Sequence, residues 1–148
     1  MNAPQPSFNL YDHAITWLPF AGIENLELTL CDIDEERRVV DLLVRFAPNK
    51  TVTMHNHLAQ TNMFIVQGEL RMYEPDGSIR EVRAAGHYFR GRTNDAHSEG
   101  GGPAGAVVLY SMRCDDAYNV LEVMDEQQRV LATLNMDDIR AAWAAQHV

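Results

Sequence analysis

The sequence predicts an all-β protein, a barrel or sandwich of antiparallel sheets with one C-terminal α-helix. About nine to eleven short segments rich in β-branched residues alternate between apolar and polar positions, and turn residues separate them at near-regular intervals. A helical period occurs only near the C-terminus. With 148 residues, 46% of them hydrophobic, the chain can bury a sizeable core, so we expect a single domain over 1–148.

The first third of the chain predicts four strands after a polar arm. Residues 1–12 are polar and contain two prolines, which is typical of an arm rather than of a core segment. Leucines alternate with polar residues in the second strand, and the third is an apolar β-branched run typical of a central strand. The four predicted strands are 14–19, 26–31, 39–46 and 51–57.

The rest of the chain predicts further strands and then the helix. The predicted strands are 62–66, 69–73, 79–83, 87–90, 106–112, 119–124 and 129–134. The glycine-rich stretch from Glu99 to Gly105 is expected to be mobile. Asn135 or Asp137 can cap a helix over 137–146, in which Ile139, Ala142 and Trp143 form an apolar stripe that should dock on the sheet.

Charge and composition exclude several classes of function. A formal net charge of −9 argues against nucleic acid as a partner, because binding to phosphates requires clustered Lys and Arg. No apolar run approaches the length of a membrane span, and the N-terminus lacks the pattern of a signal peptide. Cys31 and Cys114 stand alone, which is typical of free thiols in a reducing compartment. We therefore expect a cytoplasmic protein.

The stretch Thr51–His57 carries the clearest chemical signal. His55 and His57 are two residues apart, so a β-strand would place both imidazoles on one face, about 6–7 Å apart at the backbone. Two imidazoles on one face can chelate a transition metal, and the alternative is a pair of exposed strand histidines. The pair alone does not decide between them.

Two runs together resemble the motifs of the cupin superfamily. The run from Asn49 through His55-x-His57 to Gly68 resembles the first cupin motif, with asparagine in place of the first glycine. The run from Gly86 through His97 to Gly101 resembles the second motif, although its proline, inner glycine and final asparagine are absent. The resemblance implies a cupin double-stranded β-helix, or jelly-roll barrel, with one divalent transition metal per chain held by His55, His57 and His97.

One departure from the cupin pattern affects the chemistry. The cupin glutamate should fall at Thr61 or Asn62, and neither residue is a carboxylate. We therefore expect a three-histidine site without the fourth, acidic ligand. Three neutral ligands leave a divalent ion with its full charge and several open positions, which favours an anionic oxygen ligand.

Within the cupins, the chain is most similar to a small group that includes the acetylacetone-cleaving and the 2,4'-dihydroxyacetophenone dioxygenases. The shared features include Ile15-Thr16-Trp17, Gly86-x-Tyr88 before His97, and a late strand pair followed by an Ala/Trp helix. The resemblance implies non-haem Fe(II), with Zn, Ni or Mn as other metals, and O₂-dependent cleavage of a C–C bond in a small β-diketone or hydroxyketone. The alternatives are a non-catalytic metal-binding sensory or ligand-binding cupin, and a Zn or Mn cupin isomerase or hydrolase.

Three further residues are candidates for substrate binding. Arg90 and Arg92 could hold a substrate carboxylate or enolate through paired hydrogen bonds, and the alternative is a solvated loop. Asn62 could hydrogen-bond a substrate oxygen, and the alternative is a strand-edge amide. His87 is expected to be structural or exposed, and His13 and His147 to be solvated. Since cupins commonly pair through their sheets, a homodimer or homotetramer is expected.

Overall fold

The computed structural model describes residues 6–11 and 15–148. Parts of the predicted arm over 1–12, the first residue of the strand predicted at 14–19, and His13 lie outside the described residues. Where that strand is described, Leu18 forms an isolated antiparallel bridge with Leu28 instead of an extended strand.

The described residues form nine strands followed by one helix. The elements are β1 Leu26–Asp34, β2 Val39–Phe46, β3 His55–His57, β4 Gln60–Tyr73, β5 Ile79–Ala84, β6 Tyr88–Arg90, β7 Ser98–Arg113, β8 Asn119–Met124, β9 Val130–Asn135 and α1 Met136–Gln146. The two strands predicted at 62–66 and 69–73 are one long strand, β4. Gly68, which has a φ of 73°, lies at a register shift inside β4, so a glycine that indicated a turn instead marks a bulge.

Two antiparallel sheets form the fold. The larger sheet has the order β1-β2-β7-β4-β5, with β6 also paired to β4, and the smaller sheet has the order β3-β8-β9. Apolar side chains from both sheets and from α1 pack into one core, which includes Leu30, Val40, Ile65, Val108, Val120 and Ile139. This arrangement confirms the predicted all-β jelly roll with one C-terminal helix.

The glycine-rich stretch after His97 is part of β7, so the expectation of a mobile loop is wrong. Glu99, Gly100 and Gly101 are buried, and Gly100 and Gly101 pair with Arg71 and Leu70 of β4. A Cβ on Gly100 would overlap the Lys50 carbonyl oxygen. Here glycine permits close approach of two backbones rather than flexibility.

The C-terminal helix begins one residue earlier than predicted and is fastened to β1. Asn135 accepts a hydrogen bond from the Asp137 amide, and the Asp138 carboxylate accepts one from the Asn135 amide, which forms a capping box. At the other end, the Gln146 side chain donates to the Leu30 carbonyl and accepts from the Leu30 amide. Among the described residues, no helix is long and apolar enough to cross a membrane.

Candidate metal site

Short-range and long-range pairing bring three histidines together. His55 and His57 are the first and last residues of β3, which pairs with β8. His97 lies opposite His55 in an isolated antiparallel bridge, in which each residue's amide donates to the other's carbonyl, at 2.9 and 3.0 Å. The centroids of the three rings are 4.7–5.3 Å apart, and each of the three residues is at most 5% exposed.

A buried carboxylate lies within the cluster, where the sequence predicted three histidines without an acidic ligand. Glu99 follows His97 by two residues and therefore projects to the same side of the chain. One ligand atom from each of His55, His57, His97 and Glu99 lies within 4.8 Å of the others. Thr61, one of the two positions at which the sequence predicted the usual cupin glutamate to fall, is buried beside His57.

In each of the three histidines, a contact at Nδ1 orients the ring so that Nε2 faces the cluster. The Nδ1 atoms of His55 and His97 lie 2.9 and 2.7 Å from the carbonyl oxygens of Thr53 and Asp95, to which they donate. The Thr61 hydroxyl donates to the Ala59 carbonyl, so its oxygen can accept from His57 Nδ1, 3.5 Å away. In the neutral state, each imidazole therefore presents the lone pair of Nε2 to the cluster, which is the orientation that metal-ligating histidines require.

Three potential metal-donor atoms of the cluster have no hydrogen-bond partner among the described residues. His57 Nε2, His97 Nε2 and Glu99 Oε2 are buried and make no hydrogen bond among the described residues. An unsatisfied buried polar atom costs about 1–3 kcal/mol, so three in one place require an explanation. A divalent cation would satisfy all three. Three imidazole nitrogens and one carboxylate oxygen suit zinc or a first-row transition metal such as iron.

The electrostatics of the cluster favour a neutral His97 and an ionised Glu99. Burial lowers the pKa of His97 to about 4, which leaves this ring uncharged at neutral pH. Burial alone would raise the pKa of Glu99. Hydrogen bonds from His55 and His57, together with charge from His55 and His97, hold that pKa well below its usual range. Burial likewise acts to lower the pKa of His55, yet the Glu99 carboxylate, 3.1 Å from His55 Nε2, raises it overall.

The metal-ligating cluster, formed by His55, His57, His97 and Glu99, lies between two cavities of different character. The larger, of about 530 Å³, is lined by His57 and His97 together with apolar and charged side chains. Its apolar wall consists of Met63, Met72 and Phe89. The smaller, of about 50 Å³, is bordered by His55, His57, Glu99 and Tyr110, and its remaining lining is apolar. We call the larger one the access cavity, since its lining includes the exposed residues Arg90 and Arg92.

Two of the three predicted substrate-binding residues line the access cavity, and the third does not. Arg90 and Arg92 are exposed and line the access cavity. Asn62 does not line this cavity, because it alternates with the buried Thr61 and Met63 and so leaves β4 on the opposite face.

The remaining histidines of the described chain lie outside the cluster. His87 is exposed, and its Nε2 lies 2.6 Å from Arg83 Nη1. His147 is exposed at the end of α1, where Nδ1 contacts the Trp143 carbonyl.

Sequence reasoning missed two residues at the site. Glu99 could have been found, since His97-x-Glu99 repeats the alternating spacing of His55-x-His57. Tyr110 carried no such signal. Its buried hydroxyl has no hydrogen-bond partner among the described residues, and burial together with the charge of Glu99 raises its pKa well above the ordinary value.

Comparison with solved structures agrees with the jelly-roll architecture. The fold is similar to that of an acetylacetone dioxygenase from Acinetobacter johnsonii, with a TM-score of 0.71 and 15% identity over 99% of this chain and 95% of that one. It is also similar to an RmlC-like cupin protein from Ralstonia eutropha, with a TM-score of 0.72 and 16% identity over 88% of this chain and 80% of that one. The polyketide cyclase RemF from Streptomyces resistomycificus aligns with a TM-score of 0.59 and 15% identity, over 87% of this chain and 84% of that one. At such identities, the likeness establishes the fold alone.

Comparison with protein families assigns the chain more directly. No curated protein matches the sequence. The profile of the ChrR Cupin-like domain matches residues 8–113, which include all four members of the metal-ligating cluster and all of the larger sheet. This match covers well over half of the chain and agrees with both the two cupin-like motifs and the observed fold. The protein therefore belongs to the cupin superfamily, as a member of the ChrR Cupin-like domain family.

Proposed function

We propose that the protein is a metal-dependent dioxygenase that binds Fe(II) and cleaves a C–C bond of a small β-diketone or hydroxyketone. The observation that carries this proposal is the buried convergence of His55, His57, His97 and Glu99 beside an open cavity. The fold similarity to the acetylacetone dioxygenase supports the type of reaction. A bound ferrous ion would supply Lewis acidity and reactivity toward dioxygen.

The chain itself would contribute binding, orientation and exclusion of water. The three histidines would hold the ion through Nε2, and their Nδ1 contacts with Thr53, Asp95 and Thr61 would fix the ring planes. Met63, Met72 and Phe89 would cover the carbon skeleton of the substrate and keep water from it. Glu99 reduces the net charge of a divalent centre from +2 to +1, which still favours the enolate form of a dicarbonyl over the neutral form.

One observation supports a second candidate, a metal-binding cupin domain without turnover. Four buried protein donors, three nitrogens and one carboxylate oxygen, are the number that completes a tetrahedral zinc site. Such a domain would respond to zinc or to a ligand rather than catalyse a reaction. The access cavity beside His57 and His97 favours the enzyme, because a closed structural site does not need one.

Metal analysis followed by oxygen consumption distinguishes the two candidates. Protein purified without added metal would be analysed by mass spectrometry, then reconstituted with Fe(II) and assayed with acetylacetone and a series of hydroxyketones in an oxygen electrode. We expect ketone-dependent oxygen uptake that is lost in His97→Ala and retained in His87→Ala, a matched control at an exposed histidine. Stoichiometric zinc, together with no uptake after iron reconstitution, would reject the dioxygenase. Turnover of the ketone without oxygen would instead indicate an isomerase or hydrolase.

A further inference from the structure

The cationic side chains of this protein are mostly engaged in ion pairs, and the exceptions are unevenly placed. The chain has 12 Lys and Arg residues, and within its described part eight of them form salt bridges. Those without a salt bridge there are Lys50, Arg90, Arg92 and Arg113. Two of these four, Arg90 and Arg92, line the access cavity beside the metal-ligating cluster.

The acidic residues of the same cavity are already occupied. Arg80 forms salt bridges with both Glu74, at 2.7 Å, and Asp95, at 2.5 Å. Arg83 is paired with Glu81 at 2.5 Å, and its guanidinium lies over the Phe89 ring at 3.9 Å. Every carboxylate that lines the access cavity is therefore paired with Arg80 or Arg83. The guanidinium groups of Arg90 and Arg92 have no hydrogen-bond acceptor in the described chain.

The charge balance of the cavity indicates what it accepts. Four arginines against two glutamates and one aspartate leave its walls with a formal charge of +1, in a protein whose net charge is −9. Such local cationic charge attracts an anion and repels a cation. A single carboxylate balances this charge.

We propose that Arg90 and Arg92 form a carboxylate-binding subsite, so that the substrate is a dicarbonyl or hydroxyketone that also bears a remote carboxylate. This inference rests on the proposed function, in that the carbonyl end of the substrate lies at the metal-ligating cluster. The planar guanidinium of arginine suits a carboxylate through paired hydrogen bonds. The cavity of about 530 Å³ has room for such a molecule, with Met63, Met72 and Phe89 against its apolar middle.

A matched pair of ligands tests the subsite independently of turnover. Succinylacetone carries a β-diketone and a remote carboxylate, and its methyl ester keeps the skeleton but loses the charge. Binding of both to the metal-loaded protein would be measured by calorimetry, in the wild type, in the double variant Arg90→Gln/Arg92→Gln, and in Arg113→Gln. Arg113 is a suitable control, since it is also an exposed arginine without a salt bridge but lies at the end of β7, outside the access cavity.

The expected result is a preference that depends on the two arginines. The wild type and Arg113→Gln should bind the acid at least about tenfold more tightly than the ester, and the preference should weaken as salt is raised. The double variant should bind the two ligands equally, with unchanged metal content and unchanged affinity for the ester. Equal binding of acid and ester by the wild type, or a preference that survives in the double variant, would overturn the subsite.

Oxygen uptake with the same two ligands separates this proposal from the proposed function. If the acid is preferred through Arg90 and Arg92 but no oxygen is consumed, the subsite stands and the dioxygenase is rejected. If both ligands are turned over with the same kcat/KM, and the double variant behaves as the wild type does, the dioxygenase stands and the subsite is rejected.

Discussion

Replacing Glu99 by glutamine tests the most specific feature of the candidate metal site. The carboxylate is 2% exposed, and its Oε1 lies 3.1 Å from His55 Nε2 and 3.9 Å from His57 Nε2. Glutamine keeps the shape of the side chain and one carbonyl oxygen but removes the negative charge. If Glu99 is a ligand, the variant should lose metal affinity, because one of four donors becomes a neutral and weaker one.

The size of the effect follows from the position of Glu99 within the cluster. Loss of a group that merely orients a ligand costs about 10–100-fold in metal affinity, so loss of a charged ligand should cost at least about 100-fold. This factor corresponds to about 2.7 kcal/mol. With metal in excess over Kd for both proteins, the metal-induced stabilisation falls by the same amount. At about 2–4 °C per kcal/mol, the metal-induced rise in Tm should shrink by about 5–11 °C.

Chelator competition and thermal unfolding measure the affinity and the stabilisation separately. Glu69→Gln serves as the matched control, since Glu69 is a strand glutamate that pairs with Arg71 on β4. His97→Ala serves as the positive control and should fail to retain stoichiometric metal. If Glu99→Gln binds metal as tightly as the wild type while His97→Ala does not, Glu99 is not a ligand and the three-histidine site predicted from the sequence is correct.

Three further predictions concern the rest of the fold. Burial, with the charge of Asp41, raises the pKa of Cys31 from 9.0 to about 11. Since only the thiolate reacts, iodoacetamide at pH 8 should modify Cys31 about 100-fold more slowly in the native than in the unfolded chain. Similar rates in the two states would contradict this. Asn135→Ala removes the N-cap of α1 and should lower the free energy of unfolding by about 1 kcal/mol, measured by denaturant titration; no change would show that the cap does not contribute. Gly100→Ala places a Cβ against the Lys50 carbonyl and should cost about 1–3 kcal/mol by the same assay, unless the two backbones can separate freely, in which case stability would be unchanged.

Much of the fold was predictable because its signals are local. Alternating β-branched segments identified most of the strands, and the apolar stripe of Ile139, Ala142 and Trp143 identified the helix. The errors arose where a residue type has two physical uses. Glycine permits turns and also close backbone contact, so Gly68 and the run after Glu99 indicated a turn and a loop but belong to β4 and β7.

Three of the four members of the metal-ligating cluster were also predicted from the sequence, whereas the place of Asn62 depended on the tertiary structure. Alternation along a strand placed His55 and His57 on one face from sequence alone, and motif spacing added His97. The role of Asn62 was harder to judge, because its distance from the cluster depends on which face of β4 points inward, and the buried Thr61 and Met63 take that face.

The sequence by itself determined the all-β architecture and the placing of His55 and His57 on one face, since both follow from periodicity and short spacing. The resemblance to the cupin motifs added His97. Only the tertiary structure showed that the Glu99 carboxylate lies among the three histidines. Only the tertiary structure also showed that Arg80 and Arg83 take every acidic partner in the access cavity, leaving Arg90 and Arg92 without one. The physical reason is that burial and ion pairing depend on contacts between strands far apart in the chain, which local patterns do not specify.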